Sequence, residues 1–224
     1  SCVFDAADVN IQTMDNDVFS ELALLLRVQP ELQQICLFGA QWSSPHEPER
    51  EGWAPFHIVT QGACLIDVGD QVGLRLEEGD VAVLPHGGRH TTRALSGAMG
   101  TSSGLRVQTR ANDHLVVKSN VDGEPDTKLI CGRLIFEHAK HNLVLAALPS
   151  VVIMKTGADR DAMLMREIVE AIRFELESDR LAAAAVACSL ANTLMMIVLR
   201  SHFEREHEAK GVLGLLQGRQ TARA

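Results

Sequence analysis

The sequence predicts a mainly β fold, a small barrel of short strands, followed by an antiparallel pair of helices. Three observations lead there. Between residues 33 and 136, short apolar segments alternate with glycine-bearing turns such as Gln61-Gly62 and Gly69-Asp70, the pattern of closely spaced hairpins. After Leu143 the apolar period lengthens, with Leu164, Ile168, Ile172 and Leu176 recurring at i+4, which is helical. The connection Glu177-Ser178-Asp179-Arg180 is short, so the two helices it joins should lie side by side and antiparallel.

The elements follow in order. Residues 1–14 carry no pattern and read as a loose lead-in. Val18, Leu22, Leu25 and Leu26 form a helical stripe with Asp15 or Asp17 as N-cap, ended by Gln29-Pro30. Residues 33–42 read as a strand and 43–52 as a polar, proline-bearing loop. Strands are expected at 54–60, 63–68 and 72–77, and a fourth at 81–85 stops at Pro85. Residues 95–113, rich in Gly, Ser and Thr, read as a long loop or flap, before strands at 114–118 and 128–138. The stretch 147–154 is read as crossing into the helical zone. Leu181, Ala184, Cys188, Met195, Val198 and Leu199 mark a second, longer helix reaching about His207. The expected organisation is a lead-in at 1–14, a barrel at 15–142, a helical hairpin at 143–210, and a linker opening at 211–224.

Composition narrows the function. Apolar residues make up 46% of the chain, enough for a sizeable core, and the net charge is −8. A free-standing DNA binder usually carries a basic face, so this chain is expected to bind something other than nucleic acid. The five cysteines are scattered without a CxxC pair, which argues against a disulfide framework and a zinc finger. No uninterrupted apolar run approaches a membrane span and no basic-then-apolar leader is visible, so a cytoplasmic location is expected.

One stretch is specific. From Gly79-Asp80 a tight turn leads through the apolar run 81–84 to Pro85, then to a reversal at Gly87 and to His90, aimed into a barrel mouth. This spacing resembles the second sequence motif of the cupin superfamily, with Ala94 where an Asn often stands. His57 to Gly62 resembles the end of the first motif. Taken with the segments 19–28, 54–68, 129–138 and 145–152, the chain from about 17 to 207 looks like the cupin-type N-terminal domain of AraC-family bacterial transcription regulators. The resemblance implies a cupin (double-stranded β-helix) barrel that senses a small-molecule or oxidant signal and a helical hairpin that forms a homodimer. It also implies an attached pair of helix-turn-helix motifs beyond residue 224, through which alone DNA would be bound.

Candidate site residues follow. Cupin enzymes usually hold a metal with an HxH pair, a glutamate and the second-motif histidine. Counting back from Gly62 places Pro55 at the glutamate position and Glu49 and Glu51 near the two histidines; only His90 survives, which argues against an enzyme. A different set, His46, His57, His90 and Cys131, can converge as a zinc-type N/S site for a divalent metal. A stand-alone cupin metalloenzyme using that set is the alternative function. The plainer reading makes His57 and His90 hydrogen-bonded interior residues and His46 a loop residue. Cys36 and Cys131, each on an expected strand, are candidates for a thiol switch or else inert buried thiols. Trp42 and Phe56 can line a ligand pocket with His57 and His90, or simply fill the core. Leu181, Cys188, Met195, Val198 and Leu199 are the expected dimerisation stripe.

Overall fold

Alternation along the strands sets the layers. The computed structural model describes residues 28–96, 105–109, 115–137, 139–157, 160–178 and 180–205. The strands are β1 (Val28–Phe38), β2 (Ser43–His46), β3 (Trp53–Gln61), β4 (Ala63–Val68), β5 (Gln71–Glu77), β6 (Val81–Val83), β7 (His90–Arg93), β8 (Arg106–Thr109), β9 (Val116–Ser119), β10 (Thr127–Phe136) and β11 (Val152–Met154). Three helices follow β10: α1 (Leu143–Ala147), α2 (Arg160–Glu177) and α3 (Ala183–Arg205). A seven-stranded sheet runs β11-β6-β3-β10-β1-β9-β8, and a four-stranded sheet runs β2-β7-β4-β5.

On β4 the buried residues are Cys64, Ile66 and Val68, with half-buried residues between them. That sheet therefore has one wet face and one face turned inward. β3 is buried on both faces. Its Val59, with Cys36, Leu129, Cys131 and Ala82, joins Cys64, Ile66 and Leu76 of the smaller sheet in an inner core. Its Phe56 and Ile58, with Ile130 and Leu134, pack in an outer core with Ile172, Leu194 and Val198 of the helices. One large sheet thus separates two cores. The start of α2 is tied to the end of α3, because Asp161 accepts from Arg200 at 2.8 Å and from Ser201 at 2.7 Å.

Several elements differ from the sequence reading, each for a local reason. β1 begins at Val28, and Pro30 lies within it, opposite Leu134. Along β1, β9 pairs with Gln34 to Leu37, so at Pro30 the strand has one neighbouring strand among the described residues, a position where a sheet tolerates proline. Ser43–His46 is a strand and not a loop: β2 is the outer strand of its sheet, a position where Pro45 is allowed. Part of the expected flap is strand β8, and residues 152–154, expected to be helical, pair with β6. The large sheet consequently takes its last strand from beyond residue 142. The expected helix at 15–27, the lead-in and the tail from 206 lie outside the described residues.

The stripe expected to dimerise is mostly turned inward. Met195, Val198 and Leu199 are fully buried in the outer core, because α3 lays its most apolar face on β1 and β11. Only Leu181, 99% exposed, and the half-buried Cys188 remain at the surface. Among the described residues one helical segment, Ala183–Phe203, is long and apolar enough to cross a membrane by length and composition. Ser189, Asn192 and Thr193 interrupt the apolar run in sequence. On this helix Leu194, Met195, Val198 and Leu199 lie in the outer core beneath the sheet.

Candidate functional site: a histidine cluster inside the barrel

Strand register builds the site. β2 pairs antiparallel with β7 so that His46 stands opposite His90. On the facing sheet, His57 of β3 is the ladder partner of Cys131 on β10 and of Ala82 on β6. Cys36 on β1 pairs with Leu129, two residues from Cys131 and on the same side of the sheet. Two histidines from the small sheet and one from the large sheet therefore meet between the layers, with the two thiols beside them.

The distances are short. His57 Nε2 lies 2.8 Å from His90 Nε2, and His57 Nδ1 lies 3.1 Å from Cys131 Sγ. His90 Nδ1 is 3.0 Å from the Gly88 carbonyl. The His46 ring stacks on His90 at 4.4 Å between centroids and 2° between planes. One ligand nitrogen from each of the three rings lies within 4.8 Å of the others. His57 and His90 are buried and His46 is half-buried, which puts His46 at the accessible rim. Cys131 stands behind His57 and not beside the three nitrogens, so the expected four-residue set resolves into three imidazoles with a thiol backing one of them.

These contacts restrict where protons sit. A carbonyl only accepts, so His90 Nδ1 carries hydrogen and its neutral ring presents a bare Nε2. His57 Nε2 must then donate to that lone pair, unless a cation lies between the two nitrogens. Burial holds all three rings toward the neutral form. It pushes His57 well below the usual imidazole range, with charge repulsion from His46 and His90 adding to it. It takes His46 down to about 3, helped by His90 and Lys118. It lowers His90 too, against the opposing hydrogen bond to Gly88.

The sign for stability follows. Below the ordinary histidine value the unfolded chain takes up protons that the folded site refuses, so stability is lost as pH falls. All three histidines contribute to this loss, which sets in as pH falls through the unfolded-chain value of about 6.5. Urea unfolding of chelator-treated protein should show this fall, and the double variant His57→Gln/His90→Gln should reduce it, leaving the share of His46. A pH-independent midpoint in the parent protein contradicts neutral burial.

The thiols divide the work unequally. The neighbouring Cys131 thiol lowers Cys36, against burial and with help from Lys118. The same closeness, together with burial, raises Cys131. Cys64, deeper in the same core, is pushed up to about 12 by burial.

The expected aromatic pocket is only half assembled. Trp42 faces the inner core, stacked on Phe38 at 4.2 Å. Phe56 neighbours His57 on β3 and therefore points to the opposite core, away from the histidines. Trp53 is clamped between the guanidinium groups of Arg50 and Arg133 at 3.5 and 3.4 Å. The orienting role of the Gly88 carbonyl was not legible beforehand, since a backbone acceptor has no sequence signature.

A family model described as Cupin matches residues 17–204. The chain belongs to the cupin family. It is 30% identical over 203 residues to a protein from Streptomyces antibioticus named as an AraC-like transcription regulator, covering 90% of this chain and 64% of that one. It is 24% identical over 205 residues to an HTH-type transcriptional regulator of Haemophilus influenzae, covering 90% and 64%. With the RCS-specific HTH-type transcriptional activator RclR of Escherichia coli it shares 20% identity over 200 residues, covering 89% and 61%. The chain thus spans less than two thirds of the length of these relatives.

Proposed function

We propose that this chain is the signal-sensing and dimerising part of an AraC-type transcription regulator, acting through a helix-turn-helix DNA-binding part and not as an enzyme. One observation carries the reading: the histidine–thiol site and the helices lie on opposite faces of the same sheet. On β3, His57 faces the inner core while its neighbours Phe56 and Ile58 face Ile172 and Leu194 of the helices. A ligand or oxidant that shifts His57 or Cys131 therefore displaces side chains on which α2 and α3 rest, and favours one of two packings.

The interior also has an unmet demand. The Trp42 indole N–H is buried with no acceptor among the described residues. A buried donor left unpaired costs about 1–3 kcal/mol, which an oxygen of a small ligand would recover. The relatives' names, transcription regulators and an activator, support the regulator part of the reading.

Dimerisation is assigned to the surface near the turn of the α2–α3 antiparallel hairpin. Phe174, Leu181 and Val186 are exposed there, although such residues are usually buried. Val186 also lines a shallow groove of about 340 Å³ together with Ala185, Ser189, Leu190 and Thr193.

Sedimentation should give a dimer, and Phe174→Glu with Leu181→Glu should weaken it by at least about tenfold, or about 1.4 kcal/mol. Oxidising the thiols with diamide should change hydrogen-exchange protection across residues 160–205. A monomer at working concentration together with unaltered helix protection overturns the reading.

A further inference from the structure

We propose that His46, His57 and His90 bind one divalent metal ion of the zinc type through three imidazole nitrogens, with Cys131 and the Gly88 carbonyl orienting the rings from behind. The inference deepens the sensor reading by giving its site a ligand class. It rests on that reading for its regulatory meaning, while the binding itself stands on the geometry.

The argument starts from the outer partners. In metal sites, a ligating histidine donates its other ring N–H to a fixed acceptor, which sets both tautomer and orientation. His90 already does so: Nδ1 donates to the Gly88 carbonyl, leaving Nε2 as the ligating atom. His57 has a sulfur 3.1 Å from Nδ1, which leaves Nε2 facing His90. With the His57 proton on Nδ1 and donated to Cys131 Sγ, both Nε2 lone pairs point at one place from 2.8 Å apart. Two bare nitrogens at that distance repel unless a cation lies between them.

Loading the site needs no net proton release from the imidazoles. The His57 hydrogen moves from Nε2 to Nδ1, and the Cys131 S–H turns from Nδ1 toward the neighbouring Cys36 of the inner core.

The fit is close. Zinc–nitrogen bonds of about 2.0–2.1 Å at tetrahedral angles place ligand nitrogens about 3.3 Å apart. The His57–His90 pair must open by roughly half an ångström and His46 must close from within 4.8 Å, movements available to side-chain torsions. All three donors come from strands of two packed sheets, a rigid support of the kind such sites need. His46, half-buried, lies on the route of entry. A fourth coordination position is left for water or an anionic ligand.

The test is a zinc titration of the chelator-stripped chain against a chromophoric competitor, with cobalt(II) as the spectroscopic probe. One equivalent should bind in the micromolar range or tighter. His46→Ala, the ligand change closest to the surface and least disturbing to the fold, should weaken it by at least about a hundredfold. Cys131→Ser should keep the stoichiometry and weaken binding by roughly 10- to 100-fold, as changes behind a ligand do. The cobalt form should show the visible absorption of a tetrahedral site and no sulfur-to-cobalt charge-transfer band.

No stoichiometric metal, or affinity unchanged in His46→Ala, overturns the proposal. So does a charge-transfer band that disappears in Cys131→Ser. Metal binding by a chain that neither dimerises nor alters helix protection would retain the site and remove the sensor reading.

Discussion

Asp80→Ala is expected to destabilise the fold by about 3–5 kcal/mol, the range for breaking a buried charged network by removing one partner. Asp80 is 1% exposed and its two oxygens are fully engaged. Oδ2 accepts from the Glu77 N–H at 2.7 Å and from Lys155 Nζ at 2.8 Å. Oδ1 accepts from the Thr156 N–H at 2.7 Å and its hydroxyl at 3.0 Å. Lys155 is half exposed, so water replaces much of its share. The Glu77 and Thr156 N–H groups lose their acceptor as well, and each hydrogen bond to a charged group contributes about 1.5–3 kcal/mol.

The position matters for the proposed signalling. Asp80 ties the turn before β6 to the segment after β11, four residues ahead of α2, and so anchors the path from sheet to helices. Asp80→Asn keeps one acceptor and should cost about half as much. Urea unfolding decides between them: a loss below about 1 kcal/mol in Asp80→Ala would mean that the clamp is idle.

Gly132→Ala is expected to cost at least about 3 kcal/mol or to prevent folding, since overpacking costs about 1–3 kcal/mol even where side chains can yield. Gly132 lies mid-strand in β10, next to Cys131, with β1 on one side and β3 on the other. A Cβ there would sit 2.3 Å from the Glu31 carbonyl oxygen and 2.6 Å from Phe56 Cζ. The first neighbour is backbone of a paired strand and the second is a fully buried ring, so neither can move away cheaply. Adding Phe56→Leu should recover only part of the loss, because the clash with Glu31 persists. Full recovery would show that the ring alone excludes the methyl group. The same glycine lets Phe56 reach across β10 on the helix face while Cys131 meets His57 on the other, so the variant probes the sheet that joins site and helices.

Much of this was legible from residues alone. The turn at Gly79-Asp80, the strand ending before Pro85 and the inward His90 were read from spacing, because tight turns and strand ends demand particular residues at particular offsets. The mainly β body followed by helices was equally plain, since a change of apolar period is local information. His57, His90 and His46 were singled out as candidates for one site.

What the chain's local pattern left undecided was partnership. His46 read as a loop residue because Pro45 and its polar neighbours resemble a loop; pairing with β7 made it a strand residue and set it against His90. Residues 152–154 took strand form only because β6 offered a free edge. Phe56 and His57 are adjacent in sequence and serve different cores, which depends on what each face of β3 meets. The apolar stripe of α3 announced burial but not against what, and the sheet took Met195, Val198 and Leu199 before any second copy could. Sequence by itself determined the central strands, the two long helices, their order and the chemistry on offer, because those rest on short-range sterics and periodicity. Only the tertiary structure decided which side chains meet, because register and face are settled by long-range pairing, where a one-residue shift exchanges inside for outside.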